Sequence, residues 1–305
     1  EIVDYQILTG GKRVRPALAI ISCQLLGGKI KDAIFPAAGL EILHNYTLII
    51  DDIIDRSNLR RGKSTSWFKF GKSITQCIGI DYAAAVFQAA NRSKNPLRVS
   101  ELFAKAMKAI VDGEILDILF EQSGREEEPY VVKNRYLRIT DKDYSEMVGK
   151  KTAFLFRTCC EVGGTCSRAS EKEIRALGNY GYNLGVAFQI RDDILDIFGG
   201  KEFGKKIGKD IEERKLGNIV ILTALKELNS TDKKRFLEIM RKNKVGEGDI
   251  REEINLIKKT NSQQRAIQLG KNFIEKAKAN LQSLPQNKWN NLLQEIAYFV
   301  IKRER

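Results

Sequence analysis

The sequence predicts an all-α fold, and three observations lead there. Apolar residues recur mostly at helical spacing, long strand-like alternations are few, and only five prolines interrupt 305 residues. No low-complexity stretch or linker cuts the chain. One domain over residues 1–305 is therefore expected, built as a helical bundle.

The elements follow in order. Pro16 comes after the basic stretch Gly10-Gly11-Lys12-Arg13-Val14-Arg15 and suits the first turn of a helix that stops at Gly27-Gly28. Pro36 is expected to open a second helix, which carries His44 and ends in Asp51–Asp55. Asn58 to Ser66 reads as a polar loop, and Asn91 to Pro96 as a break. Leu102 to Phe120 reads as an amphipathic helix and Ser123 to Asn134 as a surface loop. Thr140 with Asp143 forms a capping box before a helix holding Lys150-Lys151-Thr152. Ser170 with Glu173 forms another, whose helix runs to Phe198. Gly199 to Gly217 is a basic, glycine-rich connector. Asp249 with Glu252 marks one more helix start, and helical patterns continue to Ile301 with a break at Pro285.

The formal net charge is +13, with Lys and Arg spread along the chain. That balance fits an anionic ligand, a nucleic acid, an anionic membrane or simply a solvated surface. Five cysteines, none in a C-x-x-C pair, argue against zinc and against a disulfide scaffold, so a cytoplasmic setting is expected. The apolar run near Ala17 to Leu26 is too short for a transmembrane segment.

Two acidic clusters carry the chemistry. Asp51-Asp52-Ile53-Ile54-Asp55 and Asp192-Asp193-Ile194-Leu195-Asp196 both read D-D-x-x-D inside apolar segments. Helix positions i and i+4 share a face, so Asp51 projects with Asp55, and Asp192 with Asp196. Grouped carboxylates repel and cost desolvation, and a hard cation relieves both. Mg²⁺ takes oxygen ligands and bridges carboxylates to phosphates. Two such faces opposed across a cavity would hold Mg²⁺ ions around one diphosphate. A solvated acidic face is the bland alternative for either cluster alone.

Cations accompany both clusters. Lys12, Arg13 and Arg15 precede a helix N-terminus, where backbone N–H groups and the helix dipole favour an anion. Arg60-Arg61-Gly62-Lys63 follows the first cluster. Lys150-Lys151-Thr152, Lys206, Lys209 and Lys215 add more. Acidic groups for metal and basic groups for phosphate oxygens fit a pair of diphosphates, one metal-bound and one held by cations alone. His44 is the only histidine, seven residues before Asp51 and roughly on its face. A lone histidine there is more often structural than functional. The glycine-rich pieces match neither a P-loop nor a dinucleotide fingerprint.

In this order, GGKRVRP, LIIDDIID with LRRGK, KKT, FQIRDDILDIFG and KIGKD resemble the trans-isoprenyl diphosphate synthases, over Gly10 to about Lys215. The resemblance implies an isoprenoid-synthase-type all-α bundle around a deep central cavity, usually a homodimer. It implies head-to-tail condensation of isopentenyl diphosphate onto an allylic diphosphate (dimethylallyl, geranyl or farnesyl), with about three Mg²⁺ ions per active site. Asp51 and Asp55 would ligate two ions and Asp192 a third, supported by Asp52, Asp193 and Asp196. Arg60, Lys151, Gln189, Lys206 and Lys215 would hold the allylic diphosphate, beside Thr152. Lys12, Arg15, His44 and Arg61 would hold isopentenyl diphosphate without metal.

Chain length in this family depends on residues four and five before the first Asp, here Thr47 and Tyr46. Five helical residues span roughly 7.5 Å, on the scale of one or two isoprene units. One aromatic with a small neighbour, and the two-residue spacer Ile53-Ile54, resemble archaeal geranylgeranyl diphosphate synthases, so a C20 product is expected. A farnesyl or longer-chain synthase is the alternative.

Some positions depart from the family pattern. Ile80 stands where glycine is usual, Glu114 where glutamine is frequent, and Leu216-Gly217-Asn218 follows Lys215 where threonine is common. The N-terminal helix looks short for the family. Terpene cyclases differ in their second metal motif, and head-to-head synthases use D-x-x-x-D spacing. A non-catalytic subunit often lacks one motif. A basic scaffold for nucleic acid or membrane would concentrate its cations rather than flank carboxylates with them.

Overall fold

A computed structural model describes residues 2–199 and 207–303. Within them the chain is all-α apart from one two-stranded hairpin and an isolated bridge between Glu121 and Lys215. The fold is that of the isoprenyl synthases. The chain packs as two compact units. The first comprises Glu1–Ile110, Phe154–Tyr182 and Lys276–Ala297. The second comprises Val111–Ala153, Asn183–Glu275 and Tyr298–Arg305.

In the first unit the Ile30–Ile54 helix packs on the Lys72–Asn91 and Val14–Leu25 helices, and the latter packs on Phe154–Thr165. Leu18, Leu40, Leu43, Ile49, Tyr82, Phe103 and Phe156 are buried there. Burying such side chains contributes about 2 kcal/mol each. The Ile30–Ile54 helix begins six residues before Pro36, which lies inside it rather than opening it. Asp32 supplies the start signal by accepting from the Lys29 backbone N–H at 3.4 Å. Among the described residues this helix, not the Ala17–Leu26 run, is the one long and apolar enough to cross a membrane by length and composition alone, with 50% of its most apolar window buried. It packs here as a core helix and ends in carboxylates.

Asn58–Ser66 is not a plain loop. Leu59–Arg60 pairs antiparallel with Lys63–Ser64, and the turn residues Arg61 and Gly62 have φ of 54° and 73°. Positive φ at both central positions makes the tight turn whose twist matches a hairpin. Pro129–Asn134 likewise forms a short helix inside the expected loop, and the long helix expected from Leu102 starts at Pro96.

In the second unit both oxygen-lined helix starts read from sequence recur in part. Thr140 accepts from the Asp143 N–H at 3.3 Å, and Asp143 accepts from the Thr140 N–H at 2.8 Å. The later helix is Glu247–Lys258, capped at Gly246, so Asp249 is its third residue rather than its cap. That helix packs against Lys209–Glu212, Ile219–Glu227 and Ser230–Met240. It buries Glu253 completely, and among the described residues neither carboxyl oxygen has a hydrogen-bond partner. Burial first, then Asp249 and Glu252, push the Glu253 carboxyl up to about 9.

A folded-state pKa above the unfolded value binds the proton more tightly in the folded chain. The stabilisation is fully present below the ordinary value of 4.5 and is lost as pH rises towards 9. Unfolding free energy should therefore fall between about pH 5 and pH 8, and Glu253→Gln should recover on the order of 3 kcal/mol at the upper end. Urea midpoints at the two pH values check this. A variant that keeps the wild-type pH slope would assign the loss to another group.

Candidate active site

The first aspartate cluster closes the Ile30–Ile54 helix, with Asp55 as its C-cap. Successive helical side chains diverge by about 100°, so Asp52 cannot share the face of Asp51 and Asp55. Asp51 and Asp55 are half-buried, whereas Asp52 is 1% exposed. Asp52 accepts from Arg60 Nε at 2.8 Å, which the hairpin folds back over the helix end. Burial alone would lower the Arg60 pKa, but Asp52, Asp51 and Asp55 together raise it. Arg60, expected on the allylic diphosphate, thus has its ion pair with Asp52, expected to support metal.

The isopentenyl set lies in the same unit. Arg15 Nη1 stands 3.2 Å from His44 Nε2, and its guanidinium lies 4.8 Å from the centroid of the Phe156 ring. Burial and then the charge of Arg15 hold the His44 pKa well below its ordinary value. His44 is therefore neutral, and its Nε2 accepts from Arg15, which can only donate. Arg61 donates to the Gly10 carbonyl, and its pKa is lowered by burial and then by Arg60. Arg13 instead braces the fold, pairing with Glu41 and donating to the Ile7 carbonyl at 2.7 Å. Lys12 is exposed.

Tyr46 packs with Ile42 and Ile53 against the buried cluster Ile49, Ile78 and Tyr82. A Cβ at Gly79 would come within 3.4 Å of Tyr46 Cε2, so Gly79 is the small residue facing this ring. Ile80, the departure noted above, is 72% exposed and leaves that packing undisturbed. Thr47 turns its hydroxyl to the His44 carbonyl at 2.8 Å.

In the second unit, Lys151 and Thr152 sit in a π-type turn, Gly149–Ala153, inserted between two α-helices. Such an insertion re-aims side chains by one residue. Gly113 permits it, because a Cβ there would stand 2.3 Å from the Lys151 nitrogen. Lys151 Nζ lies 2.7 Å from both Glu114 Oε2 and Asp117 Oδ2. Lys215 is 6% exposed and lies 3.2 Å from the same Asp117 and 3.0 Å from Glu213. Asp117 joins two of the expected phosphate-binding lysines, a role the sequence did not reveal. Lys206 falls outside the described residues.

The second cluster repeats the division of the first. Asp193, one position on from Asp192, is 2% exposed and faces protein donors. It accepts from Tyr144 Oη at 2.8 Å, the Ile219 N–H at 2.9 Å and Gln189 Nε2 at 2.9 Å. Burial and then Asp210 push its carboxyl well above the ordinary range. Asp193, expected to support the metal ions, is buried and held by these three protein donors. Gln189 is held between Asp193 and the Thr152 hydroxyl at 2.9 Å, which fixes both expected substrate-binding residues. Asp196 accepts from the N–H groups of Lys209 at 3.0 Å and Asp210 at 3.3 Å, tying down a short helix N-terminus. Asp192 pairs with Arg303 at 2.5 Å.

Among the described residues no three His, Cys, Asp or Glu side chains gather into a metal cage. Mg²⁺ does not need one, since it commonly takes one or two carboxylates and completes its shell with water and substrate phosphates. Asp51, Asp55 and Asp192 offer hard oxygen donors and fit that pattern.

The model of the family described as polyprenyl synthetase matches residues 1–257. The chain belongs to this family. It is a trans-prenyltransferase. It is 34% identical to the geranylgeranyl diphosphate synthase of Saccharolobus solfataricus over 100% of this chain and 90% of that protein. It is 28% identical to the octaprenyl diphosphate synthase of Escherichia coli, over 99% and 88%. A polyprenyl synthase from Caulobacter crescentus, solved with calcium and isoprenyl diphosphate, superposes with a TM-score of 0.89 at 30% identity, over 100% of this chain and 88% of that one.

Proposed function

We propose that this synthase condenses isopentenyl diphosphate with allylic diphosphates to geranylgeranyl diphosphate, using Mg²⁺ held by Asp51, Asp55 and Asp192. The observation that carries the C20 assignment is Tyr46, five residues before Asp51, packed beside Gly79 and the Ile49–Ile78–Tyr82 cluster. The geranylgeranyl relative supports it, and the octaprenyl relative is why product length needs its own test.

Lys151, Lys215 and Gln189 are assigned to the allylic diphosphate. Their carboxylate and hydroxyl partners fix where each donor points before substrate arrives. Bound Mg²⁺ supplies positive charge to the departing diphosphate. Arg15, Arg61 and Lys12 are assigned to isopentenyl diphosphate. Neutral His44 orients Arg15 rather than taking a proton, and the released pyrophosphate accepts the proton lost on condensation. Apolar side chains around Tyr46 shield the allylic cation from water. Val111 and Ile115, four residues apart on one helix and 53% and 48% exposed, support a homodimer that covers them. The cytoplasm is the proposed setting.

Isopentenyl diphosphate with each allylic primer, with Mg²⁺ or chelator, tests the reaction through product chain length. A dominant C20 product that lengthens by one or more isoprene units in Tyr46→Ala is expected. A C20 product unchanged by that substitution would remove Tyr46 as the floor.

A further inference from the structure

The C-terminal turn meets the second aspartate cluster through a single arginine. Arg303 Nη2 lies 2.5 Å from Asp192 Oδ1 and 2.9 Å from the Phe188 carbonyl. Its guanidinium carbon sits 3.7 Å from the centroid of the Phe188 ring. Its own carbonyl accepts from Arg191 Nε at 2.8 Å, and its N–H donates to Phe299 at 2.9 Å. The Arg303 side chain is 8% exposed against 26% for Asp192. One turn of helix, Phe188 to Asp192, therefore grips the residue from ring, carbonyl and carboxylate.

We infer that Arg303 is a positioning residue acting through Asp192: it holds that carboxylate when no metal is bound and is exchanged for the divalent cation when one binds. The inference rests on the reading of Asp192 as a metal ligand. A guanidinium and a hard dication both seek the carboxylate oxygens, and charge repulsion disfavours their sharing one carboxylate. Exchange leaves Arg303 with the Phe188 ring and carbonyl, so the cation needs only to be shifted, not expelled into water. Because linkage is reciprocal, a contact that metal must break weakens metal binding, and metal binding loosens the contact. The turn from Phe299 to Arg303 would thus report whether Asp192 has been claimed.

The test uses the full chain with inorganic pyrophosphate and Mn²⁺, counted by electron paramagnetic resonance, beside hydrogen exchange of the amides from Phe299 to Arg303. Arg303→Gln should bind its weakest Mn²⁺ about tenfold more tightly, Arg303→Lys should fall between it and wild type, and Asp192→Asn should lose one ion. Metal loading should speed exchange of the C-terminal turn in the wild-type chain, which needs no variant to fold. If Asp192→Asn loses an ion but Arg303→Gln binds Mn²⁺ no more tightly and the turn does not loosen, the exchange is wrong and the metal reading stands. If Asp192→Asn keeps the full count, both fail together.

Discussion

Asp51→Asn is expected to slow condensation about 100- to 1,000-fold while leaving thermal stability close to wild type, and Asp52→Asn to do the reverse in kind. The first figure is the order of loss when one group stabilising a departing charge is removed. Asp51 lies half-buried on the face it shares with Asp55. Asp52 is 1% exposed and holds Arg60 at 2.8 Å. Removing the charge of Asp52 takes the hydrogen-bonded counter-ion from the half-buried Arg60 and leaves it only the charges of Asp51 and Asp55, which costs about 2 kcal/mol. Asp52→Asn should therefore show a lowered unfolding midpoint first, with a rate loss that follows the displacement of Arg60. Steady-state rates and thermal melts on the two variants separate the roles. Equal rate losses at wild-type melting temperature would mean that both carboxylates serve the metal alike.

That division was legible in principle. D-D-x-x-D on a helix sets the second Asp about 100° from the first, and in both clusters the turned residue is the buried one. The capping boxes at Thr140 and Ser170 were legible because their spacing names the hydrogen bonds. The hairpin at Arg60–Lys63 was not, since strands of two residues carry no alternation and its turn is Arg-Gly rather than the commoner Asn-Gly. The π-type turn was hidden for a different reason. It depends on Gly113, far away in sequence, letting the backbone of Lys151 approach. Asp117 stayed hidden with it, because only that approach brings Lys151 to Glu114 and Asp117. Glu114, noticed only as a departure from the family, turns out to be a direct partner of Lys151.

Asp193→Ala should have the largest effect on stability, with an unfolding free energy lower by about 4 kcal/mol and a thermal midpoint lower by on the order of 10 °C. Three donors lose their acceptor at once: the Tyr144 hydroxyl, the Gln189 amide and the first N–H of the Ile219–Glu227 helix. The Tyr144 and Ile219 bonds are buried, so those two donors bear a desolvation cost rather than a simple exchange of partners, and the half-buried Gln189 loses the anchor that orients it. Burial, the largest cause of the raised Tyr144 pKa, remains when Asp193 is gone, so the hydroxyl keeps its proton and loses its acceptor. Activity should fall with stability, because Gln189 also orients the Thr152 hydroxyl. The number of Mn²⁺ ions bound with pyrophosphate should stay at the wild-type value, since Asp192 is untouched. A variant that melts like wild type but binds one ion fewer would return Asp193 to the metal and make its three hydrogen bonds incidental. Asp193→Asn should be intermediate in stability, because one side-chain oxygen can still accept from two of the three donors.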